Sequence, residues 1–581
     1  MGGVVHRLTW CSDADGIPRN HSGIVDAYLF PGVFVMSPID RNPGRHFTIP
    51  ILEAVMAFIR TLRAASDSDP GDRSGLANVW QRWSGRRKVA AGFVSLAVGA
   101  GAVAGLGAVG PTAVSGCIAS GTEADINAAL VGSGAKAVLC PNAVFALAAP
   151  VVFTAPGQEV STQGYPTDQT RAVLLVSGEN QTSAVNGVGE SGIVLRNVQV
   201  DGNRPALGGL QGDALIELGG AGADQTVREI VAREPRSWSA LHVFEGAVTD
   251  NVPQCQRATI VDNQIGPSGH DDGSWADGIS LACGSSLVQG NTVTDATDGA
   301  IVIFGAPGST IQHNTIVAVD RQLLGGINMV DFAPVGGNYT GTIVRDNVID
   351  ARSDFIKVGI AMGPAIWSCT AGINHGATVT GNTLQGLNIG YGYAINGVTN
   401  WTVSGNLDNA RHVGAPGLGC GGLPSAPVGF QVQSATASTL QPEFQSAQLQ
   451  HLLGVSESPI LRVVPTSPAG CGTMRLGDGL YPGQSLTSCD GRFTLIFQAD
   501  GNLVLLKSGV PLWAAATDGR GAAVAIFQKD GNLVIYSSAG TVLWATGTNP
   551  GGSTLVVQND GNVVVYSAGD QPLWSTKTAG R

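Results

Sequence analysis

The C-terminal part of the chain writes one phrase three times. It runs Gln498-Ala499-Asp500-Gly501-Asn502-Leu503-Val504, then Gln528-Lys529-Asp530-Gly531-Asn532-Leu533-Val534-Ile535-Tyr536, then Gln558-Asn559-Asp560-Gly561-Asn562-Val563-Val564-Val565-Tyr566. The copies start 30 residues apart, and each is followed by a Leu-Trp, at Trp513, Trp544 and Trp574. A short period with a fixed internal pattern means repeated supersecondary units that share one core. Gln, Asp, Asn, Val and Tyr stand two residues apart in each copy. On a strand this spacing turns all five to one face and Leu503 and Leu505, or their equivalents, to the interior. The tryptophans are expected to close that interior around a threefold axis.

A row of amide, carboxylate, amide, small apolar patch and phenol suits a sugar. Two neighbouring hydroxyls each offer a donor and an acceptor, which Gln, Asp, Asn and Tyr complement, while Val covers the C–H face of the ring. Over about residues 471–577 the chain resembles the bulb-type (monocot mannose-binding) lectin domain, a three-sheet β-prism with a Gln-x-Asp-x-Asn-x-Val-x-Tyr site. The resemblance implies one mannose site at Gln528, Asp530, Asn532, Val534 and Tyr536, and another at Gln558, Asp560, Asn562, Val564 and Tyr566. The first copy keeps Gln498, Asp500, Asn502 and Val504 but has Leu506 in place of Tyr. One hydrogen bond is lost there, worth about 0.5–1.5 kcal/mol, so that site is expected to be weak or dead. The partners implied are mannose-containing glycans and, through the same domain, a second copy of the chain as a homodimer. A prism that binds nothing is the alternative. Against it, Gln, Asp and Asn are poor strand formers and need a reason to be kept on one face.

At 581 residues the chain has room for two or three domains. With 82 glycines, 13% charged residues and a formal charge of −11, it is neither a disordered chain nor a nucleic-acid binder, which needs basic surface. High Gly with low charge points to stacked strands and tight turns. Of nine cysteines, Cys11 stands alone and the rest form sequential pairs, Cys117/Cys140, Cys255/Cys283, Cys369/Cys420 and Cys471/Cys489. Up to four disulfides and an oxidising, extracellular compartment are expected.

Residues 1–85 carry an apolar helical patch, Ile49 to Leu62, and otherwise no readable element; they are expected to be disordered or to lie upstream of the true start. Gly85-Arg86-Arg87-Lys88, an Ala/Gly/Val stretch from Val89 to Val109 and Ala113-Val114-Ser115 have the anatomy of a secretory signal. Residues 86–115 are therefore expected to be a signal peptide or a membrane segment. Val114-Ser115-Gly116-Cys117 also fits a lipoprotein box, but that would consume Cys117 and strand Cys140, so the parity of cysteines favours simple secretion.

Residues 117–187 read as a lead-in segment with a short helix, Thr122 to Leu130, capped by Thr122 and covering the first strand edge. From 188 to 409 short strands recur. One phrase ends in Asn, at Asn263, Asn291, Asn314, Asn347 and Asn382, with spacings of 28, 23, 33 and 35. A second phrase alternates with it: Asp277-Gly278-Ile279, Asp298-Gly299-Ala300, Gly325-Gly326-Ile327, Val358-Gly359-Ile360 and Tyr391-Gly392-Tyr393. This pattern resembles right-handed parallel β-helix proteins such as pectate lyases and polygalacturonases. Stacked asparagines would hydrogen-bond up the stack, a structural role. Leu440 to Leu453 is expected to be a helix on the end of the stack, and 463–470 a Pro/Ser linker. The fold class expected is all-β, a right-handed parallel β-helix over 116–462 followed by a β-prism II lectin domain over 471–581.

Asp277 and Asp298 hold the same place in successive copies of the second phrase, so they are expected to stack about 4.8 Å apart at backbone level. Gly269-His270-Asp271-Asp272-Gly273 lies just upstream, and Asp320, Arg321, Asp331 and Lys357 flank the next coils. Paired carboxylates on one face are what acid/base cleavage of a glycosidic bond needs. Asp277 and Asp298, with His270, Asp271 and Asp272, are thus the catalytic candidates. The polygalacturonase Asp-Asp dyad, Gly-His-Gly turn and Arg-x-Lys do not appear in register, and Asp before Gly is also an ordinary turn signature. No metal site or cofactor is expected. The function read from all this is a secreted modular protein whose lectin domain brings a β-helix to a polysaccharide that it binds or cleaves. The alternative is a non-catalytic surface lectin or adhesin with the β-helix as a stalk.

Overall fold

A computed structural model of the chain describes residues 116–270, 274–368, 372–416, 426–446, 460–463, 471–528, 530–537 and 541–581, and the backbone of three N-terminal strands. The chain divides into two compact units, Met1–Pro111 and Thr112–Arg581. In the first, His6–Trp10, Gly23–Phe30 and Val33–Ile39 form an antiparallel sheet, an element not expected in a stretch read as disordered. The patch Ile49–Leu62 and the expected signal segment lie outside the described residues. Among the described residues no helix is long and apolar enough to cross a membrane.

Three long parallel sheets of 11, 10 and 12 strands make up most of the second unit. The chain visits them in rotation, each strand pairing with those one coil before and after, which is the construction of a parallel β-helix. In the 11-stranded sheet strands of about three residues suffice, because its coils place one level of inward side chains there. These run Val160, Leu195, Val227, Ile260, Val288, Ile311, Val344, Val379 and Val403, all level in register. Each is at most 1% exposed. At about 25 cal/mol per Å², every such residue contributes on the order of 2 kcal/mol, repeated coil by coil.

The coils begin at Lys136–Leu139 rather than near 188. The lead-in segment is thus part of the stack; its strands lack the Asn phrase and were illegible by that mark. Helix Glu123–Ala129 caps the first coil, with a capping box between Thr122 and Asp125 and a fully buried Ile126. At the other end, Thr439–Leu440 and Gln445–Ser446 are strands, which corrects the helix expected from Leu440 over these residues. Phe430 stacks on Tyr393 at 5.0 Å and Phe444 meets Phe430 edge-on at 5.2 Å, so these aromatics favour continuing the stack. The remainder of that span, 447–453, lies outside the described residues.

The asparagines form a continuous ladder. The side-chain amide of Asn263 donates to Asn291 Oδ1 at 2.8 Å, and Asn291 to Asn314, Asn314 to Asn347, Asn347 to Asn382 and Asn382 to Asn406 follow at 2.9 Å. Gln441 Oε1 ends it, accepting from Asn406 at 3.1 Å. The ladder therefore extends two rungs beyond the spacing pattern. Each rung's backbone N–H donates to the same oxygen, and its second amide proton reaches a strand carbonyl, as Asn314 does to Val288 at 3.0 Å.

Two four-stranded antiparallel sheets and a six-stranded sheet, four of whose strands belong to the prism, make the C-terminal module, built on Phe493–Phe497, Gly552–Val557 and Ala522–Phe527 with the hairpins that follow them. Trp513, Trp544 and Trp574 meet in a triangle with ring centroids 5.5, 5.7 and 5.7 Å apart, closing the threefold β-prism as expected. The strand Ile460–Val463 pairs with Ala415–Pro416 on one side and with Asp478–Leu480 of the prism on the other. The linker expected from 463 is thus taken up at its first residue by a sheet shared with the prism.

Disulfides join Cys117–Cys140, Cys255–Cys283 and Cys471–Cys489. The pair Cys369/Cys420 lies outside the described residues.

Candidate functional site

Each prism repeat carries the Gln, Asp and Asn of its polar row on a tight turn and the last positions, such as Val534 and Tyr536, on the strand that follows. Gln528 N–H donates to Asn532 O at 2.8 Å and Gly531 N–H to Gln528 O at 2.9 Å, so the strand resumes only at Leu533. Asp-Gly decides this locally: Gly531 has φ +84°, a conformation that strains any other residue, and Asp530 Oδ1 accepts Asn532 N–H at 3.0 Å. The five side chains therefore do not project equally. Asp530 and Asp560 are exposed, and Gln528, Tyr536, Gln558 and Tyr566 are half-buried. Val534 and Val564 are buried at 2% and 3%, and Asn532 at 9%. Asn532 spends its Oδ1 inward on Thr546 Oγ1 at 2.9 Å and Gly547 N–H at 2.8 Å. Asn562 does the same with Thr576 Oγ1 at 3.0 Å and Thr578 N–H at 3.2 Å.

What these two repeats offer outward is a carboxylate, an Asn amide donor and a coupled Gln–Tyr pair. Gln528 Nε2 donates to Tyr536 Oη at 2.8 Å and Gln558 Nε2 to Tyr566 Oη at 2.7 Å. The first repeat differs twice. Leu506 leaves Gln498 without that partner, and Asn502 Nδ2 donates instead to Asp518 Oδ1 at 3.1 Å. Val504 is buried like its equivalents, at 3%, and Asp500 is exposed.

On the β-helix, the carboxylates lie on the outer face of the 12-stranded sheet. Ile279 and Leu281 enter the core, so Ser280 faces out, level with His242 before it and Val302 after it. Asp277 is 4% exposed; it accepts Ser280 Oγ at 2.7 Å and Gly299 N–H at 3.1 Å. The offset of 22 that pairs Ile279 with Ile301 brings Asp277 level with Gly299. The expected stacking of Asp277 directly on Asp298 is therefore off by one residue, because the core isoleucines, not the turn motif, fix the register. The carboxylates nonetheless feel one another. Burial pushes Asp277 well above the usual carboxylate range, and the charges of Asp298 and Asp331 push the same way, against the two donors. Asp331 is pushed up to about 7, by burial and then by Asp298.

Two groups join this face that sequence reasoning did not single out. Ser239 Oγ shares a hydrogen bond with Ser280 Oγ at 2.8 Å. Farther along, buried His242 and Glu217 pair at 2.8 Å, with the Trp238 ring, 38% exposed, edge-on to His242 at 4.8 Å. Only the strand register puts His242 beside Ser280; nothing in their spacing announces it. His270 is exposed, with its backbone N–H donating to Ser274 O at 3.0 Å. Asp271 and Asp272 lie outside the described residues. Arg321 is tied to Glu234 at 2.6 Å and to the Gly269 carbonyl, and buried Lys357 lies 6.0 Å from the Trp275 ring.

A parallel β-helix carrying buried Asp277 with half-buried Asp298 and Asp331 on its outer face, followed by a threefold β-prism with repeated polar turns, is the class of all-β protein these observations define. Neither a family model nor a curated protein matches the chain. Among solved structures it is similar over 19% of its length to a monomeric monocot mannose-binding lectin from Gastrodia elata, at 37% identity over 98% of that chain, TM-score 0.17. It is similar over 19% to the Marasmius oreades lectin, at 35% identity over 93% of that chain, TM-score 0.18. It is also similar over 18% to the mannose-specific agglutinin of snowdrop (Galanthus nivalis) bulbs, solved with methyl α-D-mannoside, at 34% identity over 96% of that chain, TM-score 0.16.

Proposed function

We propose that the protein is a secreted, modular carbohydrate-active protein. Its prism binds mannose-containing glycans at two sites, Gln528–Tyr536 and Gln558–Tyr566. Its β-helix cleaves a polysaccharide at the carboxylate face around Asp277 and Asp298. The observation that carries the binding half is the Gln–Tyr hydrogen bond beside an exposed aspartate, present in the second and third repeats and missing from the first. Binding through the prism raises the local concentration of polysaccharide at the helix face without any new contact there.

For cleavage, Asp277 is the general acid. Its burial and its neighbours favour the protonated form, so it can protonate the leaving oxygen of a glycosidic bond. Asp298, whose charge is among the causes that raise Asp277, is the partner carboxylate, and water adds to the anomeric carbon as the leaving oxygen takes the proton. Titration of the full chain with mannose is expected to show two equivalent sites, and one site or none would count against the binding half. Reducing-end assays on a panel of polysaccharides test the other half. Activity lost in Asp277→Asn supports it; a panel with no product favours the stalk reading.

A further inference from the structure

Beside Asp277 lies a side chain that the fold has made room for and left with a free acceptor. Ile327 and Met329 point into the core, so Asn328 projects from the outer face, level with Val302 on the preceding strand and with Ser280 two strands back. Its carboxamide lies over two glycines paired across neighbouring coils, Gly299 and Gly325. A Cβ at Gly325 would run into Asn328 Oδ1, and one at Gly299 into its Nδ2. Gly299 is the residue whose N–H donates to Asp277 Oδ1. Asn328 is 1% exposed, and its Oδ1 has no hydrogen-bond partner. A buried acceptor without a donor is costly and calls for an explanation.

The charge around it limits what that explanation is. Asp277, Asp298 and Asp331 face the same patch, and Glu217 stands behind His242. Of the cations nearby, Arg321 is held by Glu234 and Gly269, and Lys357 is buried. A carboxylate-bearing sugar would add its charge to carboxyls whose charges already oppose one another, whereas a hydroxyl would bring the donor that Asn328 Oδ1 lacks.

We propose that Asn328 is a substrate-binding residue of the β-helix face, its Oδ1 accepting a sugar hydroxyl, and that this face takes an uncharged polysaccharide and rejects polyuronates. The inference rests on the reading of this face as a polysaccharide site. It does not require that bonds be cleaved there.

The test is calorimetric titration of the full chain with mannohexaose, cellohexaose and hexagalacturonate, with excess methyl α-mannoside present to fill the prism sites. At least one neutral hexaose is expected to bind and hexagalacturonate to bind at least tenfold more weakly. Asn328→Ala is expected to weaken the neutral hexaose about tenfold, with no loss in urea midpoint, and Asn328→Ser to recover part of the affinity. Equal or tighter hexagalacturonate binding, unchanged affinity in Asn328→Ala, or no hexaose bound at all overturns the proposal. Reducing ends are measured on the same samples. Binding that depends on Asn328 without product removes the cleavage half of the proposed function and leaves this inference standing. Product formation indifferent to Asn328→Ala does the reverse.

Discussion

In the third repeat of the prism, the Gln558 side-chain amide donates to the Tyr566 hydroxyl across 2.7 Å. A phenol whose oxygen is engaged as acceptor must point its own proton elsewhere, and the open direction is toward a ligand. Tyr536→Phe and Tyr566→Phe each remove one donor to the sugar and leave a glutamine amide unpaired. Each is expected to weaken mannose at its own site by about 3–10-fold, the span of one hydrogen bond. The double variant is expected to show no saturable heat at low millimolar mannose.

The first repeat has two defects, and repairing one is not enough. Leu506→Tyr restores the phenol, but Asn502 Nδ2 still donates to Asp518. Stoichiometry by calorimetry is expected to stay at two sites for Leu506→Tyr and to reach three only in Leu506→Tyr/Asp518→Ala. Three sites in the single variant would show that the Asn502–Asp518 bond does not matter.

The asparagine ladder predicts a large loss from a small deletion. Asn314→Ala removes the acceptor for both the backbone N–H and the side-chain amide of Asn291, and strands the carbonyl of Val288. With about 1–3 kcal/mol for each buried group left unpaired, urea unfolding is expected to lose at least about 3 kcal/mol. Thr315→Ala, next along the chain and partly exposed, is expected to change stability by under about 0.5 kcal/mol.

Asp331 gives the molecule a pH signature. Its carboxyl is raised from 3.8 to about 7 in the folded chain, so between those values the folded protein keeps a proton that the unfolded chain has released. Folding stability from this group is full below the lower value and declines as pH rises toward the upper one. Asp331→Asn is expected to flatten the decline in denaturation midpoint between pH 4 and pH 7. A variant with the wild-type slope would mean that other groups, Asp277 first, carry the whole effect.

The parts of the fold legible in the chain are those whose chemistry repeats. Asn263 to Asn382 announced the ladder because the same side chain does the same work in each coil. Gln441 was invisible because it does that work under another name. The prism was legible from its three tryptophans and its turns. Its polar rows were drawn along one strand, whereas Gln528, Asp530 and Asn532 and their equivalents stand on a tight turn and only the Val and Tyr positions follow strand alternation. Asp277 and Asp298 were found as neighbours but set at the wrong level, because two Asp-Gly pairs suggest one coil length and Ile279 on Ile301 enforces another. Ser280, His242 and Asn328 carried no signal of their own, being assembled across coils by register alone.

The ladder joins residues 23 to 35 positions apart with bonds of nearly constant length. Whatever the chain does between two rungs, it returns to the same anchor. Excursions of any size can therefore be grafted onto a single turn of the spiral without disturbing those above or below. A lineage built on such a spine can rework its exterior one storey at a time while the shaft stays standing.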